Sequence, residues 1–177
     1  MAAARTIGAA IAVALAAVAG VPAASAAPRV PTVSLSSLES SVLVDINVFR
    51  AQHHLAPLRL SSELTRAARA HSGQMAADGY FAHDSADGSA FWKRIQSFYG
   101  SSRWHSWSVG ENLLWSSPDV DAGGALKLWL ASPEHRKNLM RPAWREIGVS
   151  AVHAAHASGA YGGREVTIVT TDFGVRS

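Results

Sequence analysis

Three polar residues stand out because each interrupts an apolar or tightly turned stretch: His83, Glu111 and His135. His83 follows the sequence YFA at the expected exit of a helix, and Glu111 lies between a glycine and the segment NLLW. His135 belongs to SPEHRKNLM, which opens with residue types favoured at the start of a helix. The positive end of a helix disfavours an imidazolium, so we expect His135 to be neutral, the form that binds metals or accepts protons.

Each of these residues also has an ordinary explanation. His83 could cap helix carbonyls, Glu111 could be a turn carboxylate, and His135 could simply be a surface residue. Glu134 is assigned to helix capping, and His71 is predicted to be a core histidine because it shares an apolar helix face. The sequence contains no HExxH, GxSxG, P-loop or GxGxxG motif. It also contains no cysteine, which excludes disulfides and cysteine nucleophiles.

The elements that would position these residues are helices first and strands last. Apolar residues at helical spacing predict a helix from Ser36 or Ser37 to about His54, and a second from Ser61 or Ser62 to Gly79. Further helices are predicted over 91–98, from Asp119 to about residue 131, and in SPEHRKNLM. Residues 80–88 and 100–110 are predicted to be loops. Residues 147–152 and 164–173 are β-rich and indicate a hairpin with a long loop, which favours an α+β fold.

The N-terminal segment is typical of a secretory signal peptide. Arg5 precedes an apolar run over 7–21, and Ala24-Ser25-Ala26 fits a small-residue cleavage site. The run is shorter than the roughly 20 residues of a membrane span, although a span is the alternative. We therefore predict a signal peptide over 1–26, a linker over 27–36 and one domain over 37–177. The prediction is a secreted protein, extracellular or periplasmic, without stable membrane insertion after cleavage.

Charge excludes one class of partner. The 177-residue chain has a formal net charge of +3, and its basic residues are scattered. They gather only around SPEHRKNLM, whereas a nucleic-acid binder usually presents a denser basic face. No nucleic-acid partner is expected, and the sequence does not indicate an oligomeric state.

Five segments in order resemble the CAP superfamily, which includes cysteine-rich secretory proteins, venom antigens and pathogenesis-related proteins. The resemblance runs from about residue 43 to 174 and is strongest to the cysteine-free bacterial branch of this family with its SCP-like domain. It is carried by INVFRAQHHLAPLRL, LTRAARAHSGQMAADGYFAH, GENLLW, WLASPEHRKNLMRPAWREIGVS and TTDFG.

The resemblance implies an α/β/α sandwich with a central antiparallel sheet and an open cleft. It places the two cleft histidines of the family at His83 and His135, and the acid of its Gly-Glu-Asn turn at Glu111. Eukaryotic members have a second glutamate between the first histidine and that turn. This chain has none there, although Asp84 or Asp87 could take its place.

Three functions remain open. The first is a secreted binding module whose cleft holds a divalent metal, with Zn²⁺ bound by His83, Glu111 and His135, and a lipid, glycan or peptide as a further ligand. The second is a metal-dependent hydrolase. The third is a non-catalytic structural protein of the cell envelope. The first is favoured, and an enzyme is the less expected outcome. We also expect zinc binding near neutral pH to weaken below about pH 6, as the histidines take up protons.

Overall fold

Five α-helices and four β-strands are formed within residues 35–177, the part of the chain that the computed structural model describes. The predicted signal peptide and most of the predicted linker lie outside the described residues. None of the helices in the described part is long and apolar enough to cross a bilayer. The helices are α1 (Ser37–Gln52), α2 (Ser62–Asp78), α3 (Phe91–Phe98), α4 (Ala122–Ala131) and α5 (Pro133–Leu139), and the strands are β1 (Arg59–Leu60), β2 (Trp107–Ser116), β3 (Glu146–Ala157) and β4 (Arg164–Arg176).

Side-chain caps explain where the long helices begin and end. Ser36 and Glu39 form a reciprocal capping box at the start of α1, and the Ser61 hydroxyl accepts from the Leu64 amide at the start of α2. Gly79 ends α2 in the left-handed conformation, with φ of 72°. Helix α4 begins later than predicted, because Asp121 rather than Asp119 accepts the hydrogen bond of the first turn.

The sheet has the strand order β1-β3-β4-β2. Strands β3 and β2 both pair with β4 in antiparallel register, while the two-residue β1 pairs in parallel with β3. Helices α1, α4 and α5 lie on one face, and α2 and α3 lie on the other. The predicted α+β class and three-layer sandwich are therefore confirmed.

Strand β2 is the main departure from the predicted elements. The loop predicted over 100–110 gives way to a strand at residue 107, and Glu111 lies inside that strand rather than in a turn. The polar residues of its centre obscured the alternation of Trp107, Val109, Leu113 and Trp115.

The helix α2 lies unusually close to the sheet. A Cβ atom at Gly148 would stand 2.1 Å from the backbone carbon of Leu64, so no larger residue fits there. This contact fixes α2, and hence the segment that follows it, relative to β3 and β4. The loop carrying His83 is positioned in this way.

Candidate functional site

One cavity brings together the three residues singled out by the sequence. It has a volume of about 810 Å³ and lies between α3, strand β2 and α5. His83, Glu111 and His135 all line it. Its apolar wall is formed by Phe91, Val109, Met140, Pro142 and Trp144, and its other polar residues include Asn112, Glu134, Lys137, Asn138 and Arg141. The three residues therefore lie at one cavity, with the Glu111 side chain fully buried in its wall, and the role that the sequence analysis gave them there stays a prediction.

Asparagine side chains fix α5 against β2. The Asn112 amide donates to the backbone carbonyl of His135 at 3.1 Å, and the Asn138 amide donates to the Asn112 side-chain oxygen at 3.0 Å. Between them, a Cβ atom at Gly110 would stand 2.7 Å from the Asn138 side chain and 2.8 Å from the Trp144 ring. The close approach of α5 to β2 thus requires glycine at position 110. The same close packing holds His135 at the cavity wall.

Glu111 binds two different partners with its two oxygens. His83 Nδ1 lies 2.8 Å from Glu111 Oε1, and the Arg94 guanidinium donates to Oε2. Because an ionised carboxylate only accepts, Nδ1 carries the proton of a neutral His83 ring. The lone pair of that ring is then at Nε2, on a side chain that is 51% exposed. His83 is therefore oriented as a hydrogen-bond acceptor.

A second carboxyl group lies directly behind Glu111. Asp172 on β4 is the cross-strand partner of Glu111 and is fully buried. Burial, and then the charge of Glu111, raises the pKa of Asp172 well above its ordinary value. Burial also raises the pKa of Glu111 to about 7, although the Arg94 guanidinium works against this. At neutral pH the pair therefore retains a proton, which belongs to Asp172, and Glu111 is the ionised member.

Burial keeps the neighbouring histidines neutral. It is the largest cause that lowers the pKa of His83, followed by the charge of Arg94, and it lowers the pKa of His135 with a smaller contribution from His83. The lowered pKa of His135 agrees in direction with the neutral ring expected at a helix start, but its causes are burial and His83 rather than the helix dipole. His71 is fully buried, as predicted, and its pKa falls to about 4.

The sequence reasoning missed Arg94 and Asp172. Arg94 lies in the helix predicted over 91–98, next to the apolar Ile95, and the sequence pattern assigns it no role. Asp172 interrupts the β-rich segment TIVTTDFG, and a charge inside an apolar strand was the signal that could have identified it.

Neither aspartate proposed as a substitute acid reaches the cavity. The Asp84 carboxylate accepts from the Phe91 amide at 3.3 Å, and the Asp87 carboxylate accepts from the Ser89 amide at 2.9 Å. Both therefore organise the loop before α3. Glu134 lies in the first turn of α5 as predicted and also lines the cavity.

The donor set does not fit a three-ligand zinc site in this arrangement. Within residues 35–177, no group of three or more His, Cys, Asp or Glu side chains is arranged to hold a metal ion. Glu111 already binds His83 and the cation of Arg94, so its oxygens are not free for a metal. The two imidazoles are the remaining donors, and zinc binding by this cleft stays a prediction.

Sequence comparison identifies relatives along most of the described chain. The model of the cysteine-rich secretory protein family (CAP) matches residues 43–173. The protein YkwD of Bacillus subtilis strain 168 is 31% identical over 121 residues, which are 68% of this chain and 45% of YkwD. The membrane protein YlbC of the same organism is 30% identical over 111 residues, 63% of this chain and 30% of YlbC. The matches thus span less than half the length of these curated relatives.

Solved structures show the same fold. An extracellular protein with an SCP domain from Bacillus anthracis aligns with a TM-score of 0.60 at 24% identity, covering 80% of this chain and 44% of that one. An outer surface protein of Borrelia burgdorferi aligns with a TM-score of 0.61 at 17% identity, covering 78% of this chain and 92% of that one. Both neighbours are described as extracellular or surface proteins.

Proposed function

The chain belongs to the cysteine-rich secretory protein family, and from this premise we propose that it is an exported protein whose cleft binds a small ligand without turning it over. One observation carries the proposal. The three polar residues His83, Glu111 and His135 share a cavity of about 810 Å³ with an apolar wall. Such a combination of apolar surface and a few convergent polar groups is typical of small-molecule sites. Export is supported by the signal-peptide pattern and by the surface location of the structural neighbours.

The lining favours a ligand with an apolar part and a polar or acidic part. Phe91, Val109 and Met140 are half-buried and supply apolar contacts, while Lys137 and Arg141 supply positive charge at the same cavity. The neutral imidazoles add hydrogen-bond acceptors. Lipids, peptides and glycans with apolar faces are the ligand classes that meet this description, and a cell-envelope component is a natural source of each.

Binding of 8-anilinonaphthalene-1-sulfonate provides a direct test, because this probe combines an apolar ring system with an anionic group. We expect the chain to bind it and expect Phe91→Ala and Lys137→Ala to weaken binding at least about fivefold, because both side chains line the cavity. His105→Ala and His156→Ala serve as controls, because both histidines are exposed and outside the cavity lining. Equal binding by all variants would contradict the proposed cleft function and favour a structural role in the envelope.

Hydrolysis is the second candidate, and the raised pKa of Glu111 favours it. A carboxyl group with a pKa of about 7 beside a neutral histidine can accept and release protons near neutral pH. Ester and peptide substrates incubated with the chain would reveal turnover. Activity that Glu111→Gln abolishes would replace the binding proposal with this one.

Zinc remains a prediction for the same cleft. His83 and His135 would provide the nitrogen donors, and we expect weak binding, since two imidazoles are fewer than the three or four protein ligands of established zinc sites. Calorimetric titration of the wild type and of His83→Ala/His135→Ala measures it. Equal zinc affinity in both would place the metal elsewhere.

A further inference from the structure

Arg94 is a buried cation at the back of the cleft. Its side chain is 7% exposed, and its guanidinium donates to Glu111 Oε2. The same group donates to the His83 carbonyl oxygen at 3.1 Å and to the Ser85 hydroxyl at 3.4 Å. It therefore joins α3, the loop after α2 and strand β2 through a single permanent charge, because arginine does not lose its proton in proteins.

This cation occupies the side of Glu111 that a metal would need. The carboxylate oxygens face Arg94 and His83, and the other acid nearby, Asp172, is fully buried on β4. A divalent ion bound by Glu111 would stand beside a guanidinium with little water between them. Like charges in such a setting repel strongly.

We propose that Arg94 is the resident cation of this cleft and excludes divalent metals from Glu111, so that the site is specific for organic ligands rather than for a metal. Arg94 is a specificity-determining residue in this account: it neutralises the buried carboxyl pair and orients Glu111 toward His83. The inference concerns the same cleft as the proposed function, but it stands on the charge and contacts of Arg94 alone. Its test requires no organic ligand.

Zinc titration of the purified chain and of Arg94→Gln tests the proposal. Removing the charge while keeping amide donors should raise zinc affinity at least about tenfold. Arg94→Lys, which keeps the charge, should behave like the wild type. Arg176→Gln is the matched control, because Arg176 also binds a glutamate, Glu63, far from the cavity lining. Adding His83→Ala to Arg94→Gln should remove the gain.

A second measurement does not depend on the folding of an Arg94 variant. If Arg94 keeps metal away from Glu111, then Glu111→Gln should leave the zinc affinity of the wild type within about twofold. A tenfold or greater loss of affinity in Glu111→Gln would overturn the proposal, because Glu111 would then be a ligand despite Arg94. Equal zinc affinity of the wild type and a folded Arg94→Gln would overturn it as well. If the wild type does not bind 8-anilinonaphthalene-1-sulfonate, the proposed cleft function is contradicted. The zinc titrations still decide whether Arg94 keeps metal away from Glu111.

Discussion

The two faces of the sheet are both buried, but by different chemistry. The face under α1 and α4 is an apolar core that includes Ile147, Val149, Val169 and Phe173. The opposite face, under α2, carries buried polar groups at alternate strand positions. These are Ser150, Thr170 and Asp172 on the strands, with His71 and Ser72 on the helix above them.

The difference between the two faces indicates that the polar face contributes less to stability because its residues serve the cleft. Polar groups cost free energy when buried unless they find partners. Here the polar face continues into the cleft through Asp172 and Glu111, which pair across β4 and β2. The apolar face is expected to supply stability, and the polar face to set the charge and orientation of the cleft residues.

The largest expected effect tests the apolar face. Trp129 on α4 is 1% exposed and belongs to the apolar core. We expect Trp129→Ala to lower the free energy of unfolding by about 3–5 kcal/mol, since it leaves a large cavity. Denaturant unfolding measures the change, with the exposed Trp92 replaced by alanine as the control. A loss under about 1 kcal/mol for Trp129→Ala would remove the distinction between the faces.

Titratable groups on the polar face should make the free energy of unfolding depend on pH. The folded-state pKa of His71 is about 4, below its ordinary 6.5, so His71 makes stability rise as pH rises between these values. The folded-state pKa of Glu111 is about 7, above its ordinary 4.5, so Glu111 makes stability fall as pH rises through that range. The two contributions oppose each other, and Asp172, whose pKa is also raised, acts in the same direction as Glu111. The wild-type stability should therefore rise less between about pH 4.5 and 6.5 than His71 alone would make it rise.

Asp172→Asn should unbalance these contributions. The raised folded-state pKa of Asp172 makes stability fall as pH rises, because the folded protein keeps a proton that the unfolded chain releases, and the substitution removes this contribution. Stability should then rise with pH more steeply than in the wild type, by about 1.4 kcal/mol per pH unit. Unfolding by urea at several pH values gives both slopes. Parallel curves for the two proteins would mean that the buried carboxyl pair does not hold a proton.

A smaller effect concerns the hydrogen bond between α2 and β4. The Ser72 hydroxyl donates to the Thr170 hydroxyl at 2.8 Å, and both residues are fully buried. Ser72→Ala should cost about 1–2 kcal/mol because Thr170 is left without its partner. Adding Thr170→Val should recover part of the loss, which a double-mutant cycle measures. If the stability changes of the two single variants simply add up in the double variant, this hydrogen bond does not stabilise the polar face.

The smallest expected effect is at Glu134. This residue is exposed at the start of α5, and its carboxylate interacts with the helix dipole there. Glu134→Gln should change stability by less than about 0.5 kcal/mol and leave zinc affinity nearly unchanged. A tenfold change in zinc affinity would assign Glu134 to the site rather than to the helix.

The sequence predicted the helices better than the sheet. Periodic apolar residues and capping serines predicted α1 and α2 to within about two residues, and α3 at its observed bounds. Strand β2 was missed because Glu111 interrupts the apolar alternation of one face, while Gly110 and Asn112 on the other face lie against α5. Contacts between elements distant in the chain create that environment, and periodicity does not record them.

The candidate site was likewise predicted in part. The residues carried by the family resemblance, His83, Glu111 and His135, do line one cavity. Arg94 and Asp172 escaped notice because their roles depend on β2 pairing with β4 and on α3 packing beside it. A motif identifies which residues are present, whereas the charge balance of a buried cluster depends on the complete fold.

Nitrogen NMR of the histidine rings, recorded while 8-anilinonaphthalene-1-sulfonate is added, tests the central claim that the cleft is the binding site. The account predicts that the rings of His83 and His135 shift together with one dissociation constant, the same as that measured by fluorescence. The exposed His105 and His156 should remain unchanged. Binding of the probe without any shift at His83 and His135 would contradict the account.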